Sequence, residues 1–160
     1  MLKTYLDEFQ KLYSILDKLN PKSLHVYEMT PSYENTTVLR NLVGIEYEKR
    51  GYVQEAIELY EKNVTDLFEG NHPYLRLAII YRKQKNYDEE IRVIKQAIYV
   101  FDKVVSNKRS DKYPKLNYFK ERLVKAIDKQ NKEIKKSQTL KNNFFVVHDK
   151  ILTKERGNHK

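Results

Sequence analysis

The feature that most constrains the fold of this chain is a weak internal repeat. When the sequence is aligned with itself, an offset of 34 residues brings similar residues together. Apolar positions then coincide along the overlap, and several pairs are identical. These pairs are Ile45/Ile79, Tyr47/Tyr81, Lys49/Lys83, Glu55/Glu89 and Ile57/Ile91. A fixed period of this length is typical of proteins built from stacked copies of one small structural unit.

Each copy of the repeat has the pattern of two helices joined by a turn. Its apolar residues recur at intervals of three and four, which is the spacing of a buried helical face. Gly51 in the first copy and Lys85 in the second stand where the first helix should end. Gly70 and Pro73 separate the copies, because glycine commonly follows a helix and proline fits a first helical turn. We therefore predict a helical hairpin in each copy.

Particular residues of the two copies form a recognisable signature. In the first copy they are Leu42, Val43, Gly44, Tyr47, Gly51, Ala56 and Tyr60, and in the second they are Leu77, Ala78, Tyr81, Tyr87, Ile94 and Ala97. Together they resemble the tetratricopeptide repeat (TPR), a helical hairpin of 34 residues, although Arg40, Asn63 and Glu90 depart from its pattern. The resemblance implies two stacked hairpins, at about residues 37–70 and 71–104. Small residues in the signature would allow the helices to approach closely.

Two repeats are fewer than a free-standing stack normally needs, so flanking segments must cover its ends. Residues 2–19 and 114–136 are both amphipathic at the helical period, and we predict that they are capping helices. The expected fold is an all-α, TPR-like helical-hairpin solenoid of about six helices, forming one domain over residues 1–136. Residues 137–160 are polar and basic apart from an apolar cluster at 144–147, and we predict a flexible C-terminal tail.

Composition and motifs argue against catalysis, metal binding and membrane insertion. The 160 residues include no Cys, and the four His are isolated from one another. Common metal-binding spacings are therefore missing, as are the glycine-rich and nucleophile motifs of phosphoryl and acyl transfer. Apolar runs are too short for a membrane span, and no apolar signal core follows the first residues. We expect a cytoplasmic protein that is not an enzyme and that uses no cofactor or metal.

The resemblance implies that the first helices of the two hairpins line a partner-binding groove. The residues expected on its surface are Asn41, Leu42, Ile45, Lys49, His72, Leu75, Arg76, Ile79, Arg82 and Lys83. An apolar strip bordered by cations suits an amphipathic or acidic peptide. Alternatively, the apolar members pack against the N-terminal helix or the neighbouring hairpin. On the first interpretation the chain is a protein–protein interaction module: a small adaptor, regulator or assembly factor.

The distribution of charge indicates a second class of partner. The chain has 31 Lys and Arg against 22 Asp and Glu, a net charge of +9, and residues 106–160 alone sum to +10. Cationic helices of this kind bind nucleic acid in a salt-sensitive, sequence-independent manner. The chain would then be a basic accessory or regulatory protein acting on nucleic acid or a nucleic-acid-bound complex. The candidate contacts are Lys120, Lys125, Lys129, Lys132, Lys136 and Lys141.

Two other interpretations of the C-terminal third stay open at this point. The same lysines would also be explained as the solvated outer face of a capping helix. Because the ends of helical-repeat stacks expose apolar surface unless they are capped, a homodimer formed through the last helix or residues 144–147 is a further expectation.

Overall fold

The computed structural model describes the backbone of residues 2–25 and 29–157 and the side chains of residues 4–24 and 29–141. Within these ranges every secondary-structure element is a helix and there are no strands, which confirms the prediction of an all-α fold. A π-helical turn at Val100–Val104 extends the sixth helix. The seven α-helices of the described residues are α1 (Leu2–Leu19), α2 (Pro21–His25), α3 (Tyr33–Lys49), α4 (Val53–Thr65), α5 (His72–Lys83), α6 (Tyr87–Tyr99) and α7 (Lys112–Gly157).

The helix boundaries repeat along the chain with the period seen in the sequence. α3 and α5 end one period apart, at Lys49 and Lys83, and α4 and α6 are offset by the same period at both ends. The turns inside the two hairpins also correspond, since Gly51 has a φ of 83° and Lys85 a φ of 58°. In both turns the next amide donates a hydrogen bond of 2.9 Å to the carbonyl five residues earlier. These left-handed turns end α3 and α5 at the predicted places.

Consecutive helices pack against one another from the N-terminus to the C-terminus. α1 packs on α3, and the series continues from α3 to α4, α5, α6 and α7. The larger core cluster lies among α4 to α7 and includes the fully buried rings of Tyr60, Phe101 and Phe119. A smaller cluster joins α1 to α3 through residues such as Leu16 and Leu39. α1 and α7 thus cover the outer helices of the two hairpins.

Gly44 allows α3 and α4 to approach closely. A Cβ atom at this position would lie only 2.5 Å from Cε1 and 2.9 Å from Cζ of Tyr60. The Tyr60 side chain is fully buried, so its ring occupies the space above the glycine. Ala78, which holds the equivalent position in the second hairpin, is also fully buried. Small side chains at both places keep the paired helices in contact.

Two buried polar residues of the first hairpin are bonded to each other. Arg40, which is 3% exposed, donates from Nη1 to Oδ1 of Asn63 at 3.3 Å. Its guanidinium also forms ion pairs with Glu8 at 2.8 Å and Asp66 at 2.5 Å. Because buried charges are tolerated only when paired, these contacts explain how both departures from the repeat signature fit into the core.

The C-terminal helix is longer than the sequence analysis predicted. A capping helix over 114–136 and a flexible tail over 137–160 were expected, but α7 begins at Lys112 and continues without interruption to Gly157. The expected helix end at residue 136 is therefore corrected. Residues 137–156 contain neither Pro nor Gly, so no residue in that stretch ends a helix. Residues 158–160, and the side chains of the 144–147 cluster, lie outside the described residues.

Candidate partner-binding groove

The first helices of the two hairpins form the walls of an open groove, which we call the α3–α5 groove. It has a volume of about 760 Å³. The first turn of α4, through Val53, and the end of α5, through Lys83 and Gln84, also contribute to the lining. Its lining residues are Ile45, Glu48, Lys49, Val53, His72, Arg76, Ile80, Lys83 and Gln84.

A carboxylate at the base of the groove holds three helices together. Glu48 of α3 accepts hydrogen bonds from Arg76 of α5, at 2.9 Å from Nε and 2.7 Å from Nη2. It also accepts one of 3.0 Å from the hydroxyl of Tyr60 in α4. Burial alone would raise the pKa of Glu48, but these donors outweigh it and lower the pKa. Since a bidentate arginine–carboxylate pair has a fixed geometry, the base of the groove is preorganised.

His72 adds an uncharged side chain to the groove. Its ring packs edge-on against Tyr60, with centroids 5.5 Å apart and an interplanar angle of 72°. Burial and the nearby positive charge of Arg76 lower the pKa of His72, although Glu48 acts in the opposite direction. The buried Nε2 atom has no hydrogen-bond partner among the described residues. At neutral pH the imidazole therefore contributes aromatic surface and no charge.

The groove combines apolar surface with an excess of positive charge. Ile45, Val53 and Ile80 supply the apolar part of the lining. The lining also carries three cations against the single carboxylate of Glu48. Lys49 is 60% exposed even though its ammonium lies 2.8 Å from Glu46. A partner segment with apolar side chains and acidic neighbours would match this surface. The three cations are Lys49, Arg76 and Lys83.

Half of the residues predicted for the groove line it. The resemblance placed the binding surface between the first helices of the two hairpins, and the groove lies between these helices. Ten residues were named from the sequence. The five that line the groove are Ile45, Lys49, His72, Arg76 and Lys83.

Two predicted groove residues instead belong to the interior of the first hairpin and its junction with α1. Asn41 is only 7% exposed, and its side-chain oxygen accepts a hydrogen bond of 3.0 Å from Asn63. Leu42 packs against the apolar cluster that joins α1 to α3. The alternative interpretation, packing within the fold, therefore describes Leu42 correctly. The assignment of both residues to the groove is corrected.

The other three predicted residues lie on α5 but not in the groove lining. Leu75 and Ile79 are half-buried beside it. Arg82 donates from Nε to Oε2 of Glu90 at 2.5 Å, across the turn between α5 and α6. Because Glu90 is fully buried, its carboxylate needs this cation as a partner. Arg82 thus has a role inside the second hairpin.

Sequence reasoning missed four residues of the groove lining: Glu48, Val53, Ile80 and Gln84. Two of them had a usable signal. Glu48 follows Ile45 by three residues and Ile80 follows Arg76 by four, so each pair shares one helix face. Val53 comes from the first turn of α4 and enters the groove only because of how the hairpin folds back.

A second depression lies between α1 and α4. It has a volume of about 720 Å³ and contains four carboxylates and two cations. The buried cation, Arg40, is already paired with Glu8 and Asp66. These ion pairs connect α1 to the first hairpin, because Glu8 belongs to α1 and Asp66 follows α4. The lining residues are Thr4, Tyr5, Glu8, Arg40, Glu58, Glu61, Lys62, Thr65 and Asp66.

All six lysines considered as nucleic-acid contacts lie on α7. Lys125, Lys129, Lys132 and Lys136 share one face, because they are separated by three or four residues. Lys120 and Lys141 each lie at least about 120° around the helix from every member of that face, at about 100° per residue. Two of the predicted contacts are therefore separated from the other four.

No protein-family model, curated protein or solved structure matches the chain. In the described part of the molecule, no helix has the length and apolar character that a membrane crossing requires. The same part contains no cluster of three or more side chains able to hold a metal ion.

Proposed function

We propose that the chain is a TPR-like helical-repeat protein that binds another protein through the α3–α5 groove and catalyses no reaction. The recurrence of helix ends and turns with the period of the sequence repeat supports this assignment. The close approach of α3 and α4 at Gly44 and Tyr60 supports it further, because the small residues of the signature are expected to allow such an approach. In such an architecture the first helices of successive hairpins present the binding surface.

The observation that carries the proposal is the composition of the groove. Ile45 and Val53 offer partly exposed apolar surface next to the buried Ile80, and the surrounding charges sum to +2 when Lys49, Arg76, Lys83 and Glu48 are counted. The expected ligand is a short amphipathic helix or extended peptide with an apolar anchor flanked by Asp or Glu. Because the Glu48–Arg76 pair already fixes the base, binding requires little ordering of the protein.

The proposal is tested by selecting short random peptides on the full-length protein and measuring their affinity by fluorescence anisotropy. Selected peptides should combine apolar and acidic residues. The double variant Lys49→Glu/Lys83→Glu should bind them at least about tenfold more weakly, because two favourable charge contacts become repulsive. Circular dichroism should show the same helix content for this variant, since both lysines are exposed and the buried Glu46 keeps Arg50 and Asn20 as partners when Lys49 is replaced.

The matched control is Lys18→Glu/Lys95→Glu, which has the same net charge but changes exposed lysines on α1 and α6. It should retain the affinity of the parent protein within about threefold. An equal loss of peptide affinity in both double variants would show that binding depends only on net charge. Unchanged affinity in Lys49→Glu/Lys83→Glu would exclude the α3–α5 groove as the binding site.

A further inference from the structure

α7 carries a straight row of cations, which we call the basic strip. Its members are Arg122, Lys125, Lys129, Lys132 and Lys136. Successive members are separated by three or four residues, so all five lie on one helix face. At about 1.5 Å per residue, the strip runs for about 21 Å along the helix axis. The lysines singled out from the sequence thus include a linear array.

The basic strip is open to solvent and only lightly neutralised. Arg122 and Lys129 are half-buried, and the other three members are exposed. Lys129 forms an ion pair of 2.9 Å with Glu133, but both side chains are at least one-third exposed, and water screens such a pair strongly. Between residues 112 and 141, ten basic residues stand against three acidic ones, a net charge of +7. This part of α7 therefore presents a positive surface.

The exposed apolar side chains of α7 do not form a broad face along the strip. Tyr118 and Leu140 share its face only beyond its two ends, four residues before Arg122 and four residues after Lys136. Ile127 and Ile134 are 37% and 48% exposed, and each lies about 160° around the helix from the adjacent lysines. Helices that bind membrane surfaces instead combine a broad apolar face with cations at its borders. A hydrated polyanion matches the strip better than a membrane surface does.

We infer that the basic strip binds the phosphate backbone of duplex DNA, independently of base sequence. Duplex DNA carries about one phosphate per 1.7 Å of its axis, so a strip of about 21 Å lies beside about a dozen phosphates. The major groove of B-form DNA is about 12 Å wide and admits an α-helix, whereas that of duplex RNA does not.

The side chains of the strip also indicate contact with phosphates and not with bases. Four of its five members are lysines, which act as flexible point charges towards phosphate. Asn and Gln, which read adenine, are absent from it, and the one arginine donates to the hydroxyl of Tyr118 at 3.3 Å. The strip lies on a different helix from the α3–α5 groove, so this interaction does not depend on peptide binding.

The test is a fluorescence-anisotropy titration of the full chain with two DNA duplexes of unrelated sequence at several salt concentrations. Both duplexes should bind with equal affinity. With four to five phosphates neutralised, the slope of log affinity against log salt should be about −4, a loss of about 250-fold between 50 and 200 mM. A strong sequence preference or a slope near zero would overturn the inference.

A pair of triple variants locates the contact. Lys125→Gln/Lys132→Gln/Lys136→Gln removes three exposed members of the strip while keeping good helix formers. It should bind at least about tenfold more weakly and reduce the slope to between about −1 and −2. The control Lys11→Gln/Lys18→Gln/Lys22→Gln has the same net charge, changes exposed lysines near the N-terminus and should bind like the parent.

Equal weakening in the two triple variants would overturn the inference, because binding would then follow net charge alone. Parallel titrations with a duplex RNA and with vesicles of phosphatidylserine and phosphatidylcholine distinguish the other polyanions. Tighter binding to the duplex RNA or to the vesicles than to duplex DNA would also overturn the inference.

Discussion

Replacing Gly44 by alanine tests the close packing of α3 on α4. The new methyl group would lie 2.5 Å from Cε1 of Tyr60, well inside van der Waals contact. The ring of Tyr60 is fully buried, and its hydroxyl donates to Glu48 at 3.0 Å, so the ring cannot move aside freely. Overpacking of this kind costs about 1–3 kcal/mol, whereas alanine gains about 1 kcal/mol over glycine in a helix. We expect a net loss of about 1 kcal/mol in the free energy of unfolding.

Urea denaturation followed by circular dichroism measures this loss, which corresponds to a decrease of about 2–4 °C in Tm for a chain of this size. The same substitution in a Tyr60→Leu background separates the two contributions. With the smaller leucine there is room for the methyl group, and Gly44→Ala should then stabilise the protein by about 1 kcal/mol. Stabilisation by Gly44→Ala alone would show that α3 and α4 do not meet as described.

Two further predictions concern the dependence of stability on pH. Glu46 is buried; its burial is outweighed by hydrogen bonds from Lys49, Arg50 and Asn20, which lower its pKa from 4.5 to about 2. The ionised Glu46 carboxylate therefore stabilises the fold above pH 4.5, and this stabilisation is lost as the pH falls towards 2. At pH 7 the free energy of unfolding of Glu46→Gln should be about 1–2 kcal/mol lower than that of the parent, a range that allows for solvent screening of the exposed cations. At pH 3 the difference between the two proteins should be smaller. The same difference at both pH values would contradict this prediction. The lowered pKa of His72 means that the unfolded chain binds a proton first, so stability should decrease as the pH falls below 6.5. Urea denaturation should show that the free energy of unfolding decreases less for His72→Phe than for the parent protein between pH 7.5 and 5.5. An identical decrease in the two proteins would show that His72 is not the source of this pH dependence.

The sequence was informative about the hairpins because their turns depend on local backbone chemistry. Gly51 adopts a left-handed φ that favours glycine, and Pro73 lies in the first turn of α5, as its fixed φ allows. The apolar period then defined the helices on either side. These signals are local, so they survive without knowledge of the tertiary contacts.

The end of α7 could not be predicted in this way. The amphipathic stripe fades after residue 136, and the absence of buried partners was interpreted as the end of the helix. Helix propensity is independent of burial, however, and the stretch up to Gly157 contains no helix-breaking residue. A pattern based on burial therefore underestimates a helix that continues beyond its packing partners.

The groove was predicted only in part because polar residues were assigned by helix face alone. Asn41 and Arg82 lie on α3 and α5, but each is held by a polar partner from the following helix, Asn63 and Glu90 respectively. Such pairs are formed by residues 8 to 22 positions apart and leave no periodic signal. Only the tertiary structure shows which polar side chains are satisfied internally and which face a partner.

The most direct test of the partner-binding groove is a chemical-shift titration of the isotope-labelled full chain with an acidic peptide obtained from the selection. Saturable changes should centre on the backbone amides of Ile45, Lys49, Arg76 and Lys83. Changes centred on the depression between α1 and α4, or on α7, would contradict the assignment of the α3–α5 groove as the site of partner binding.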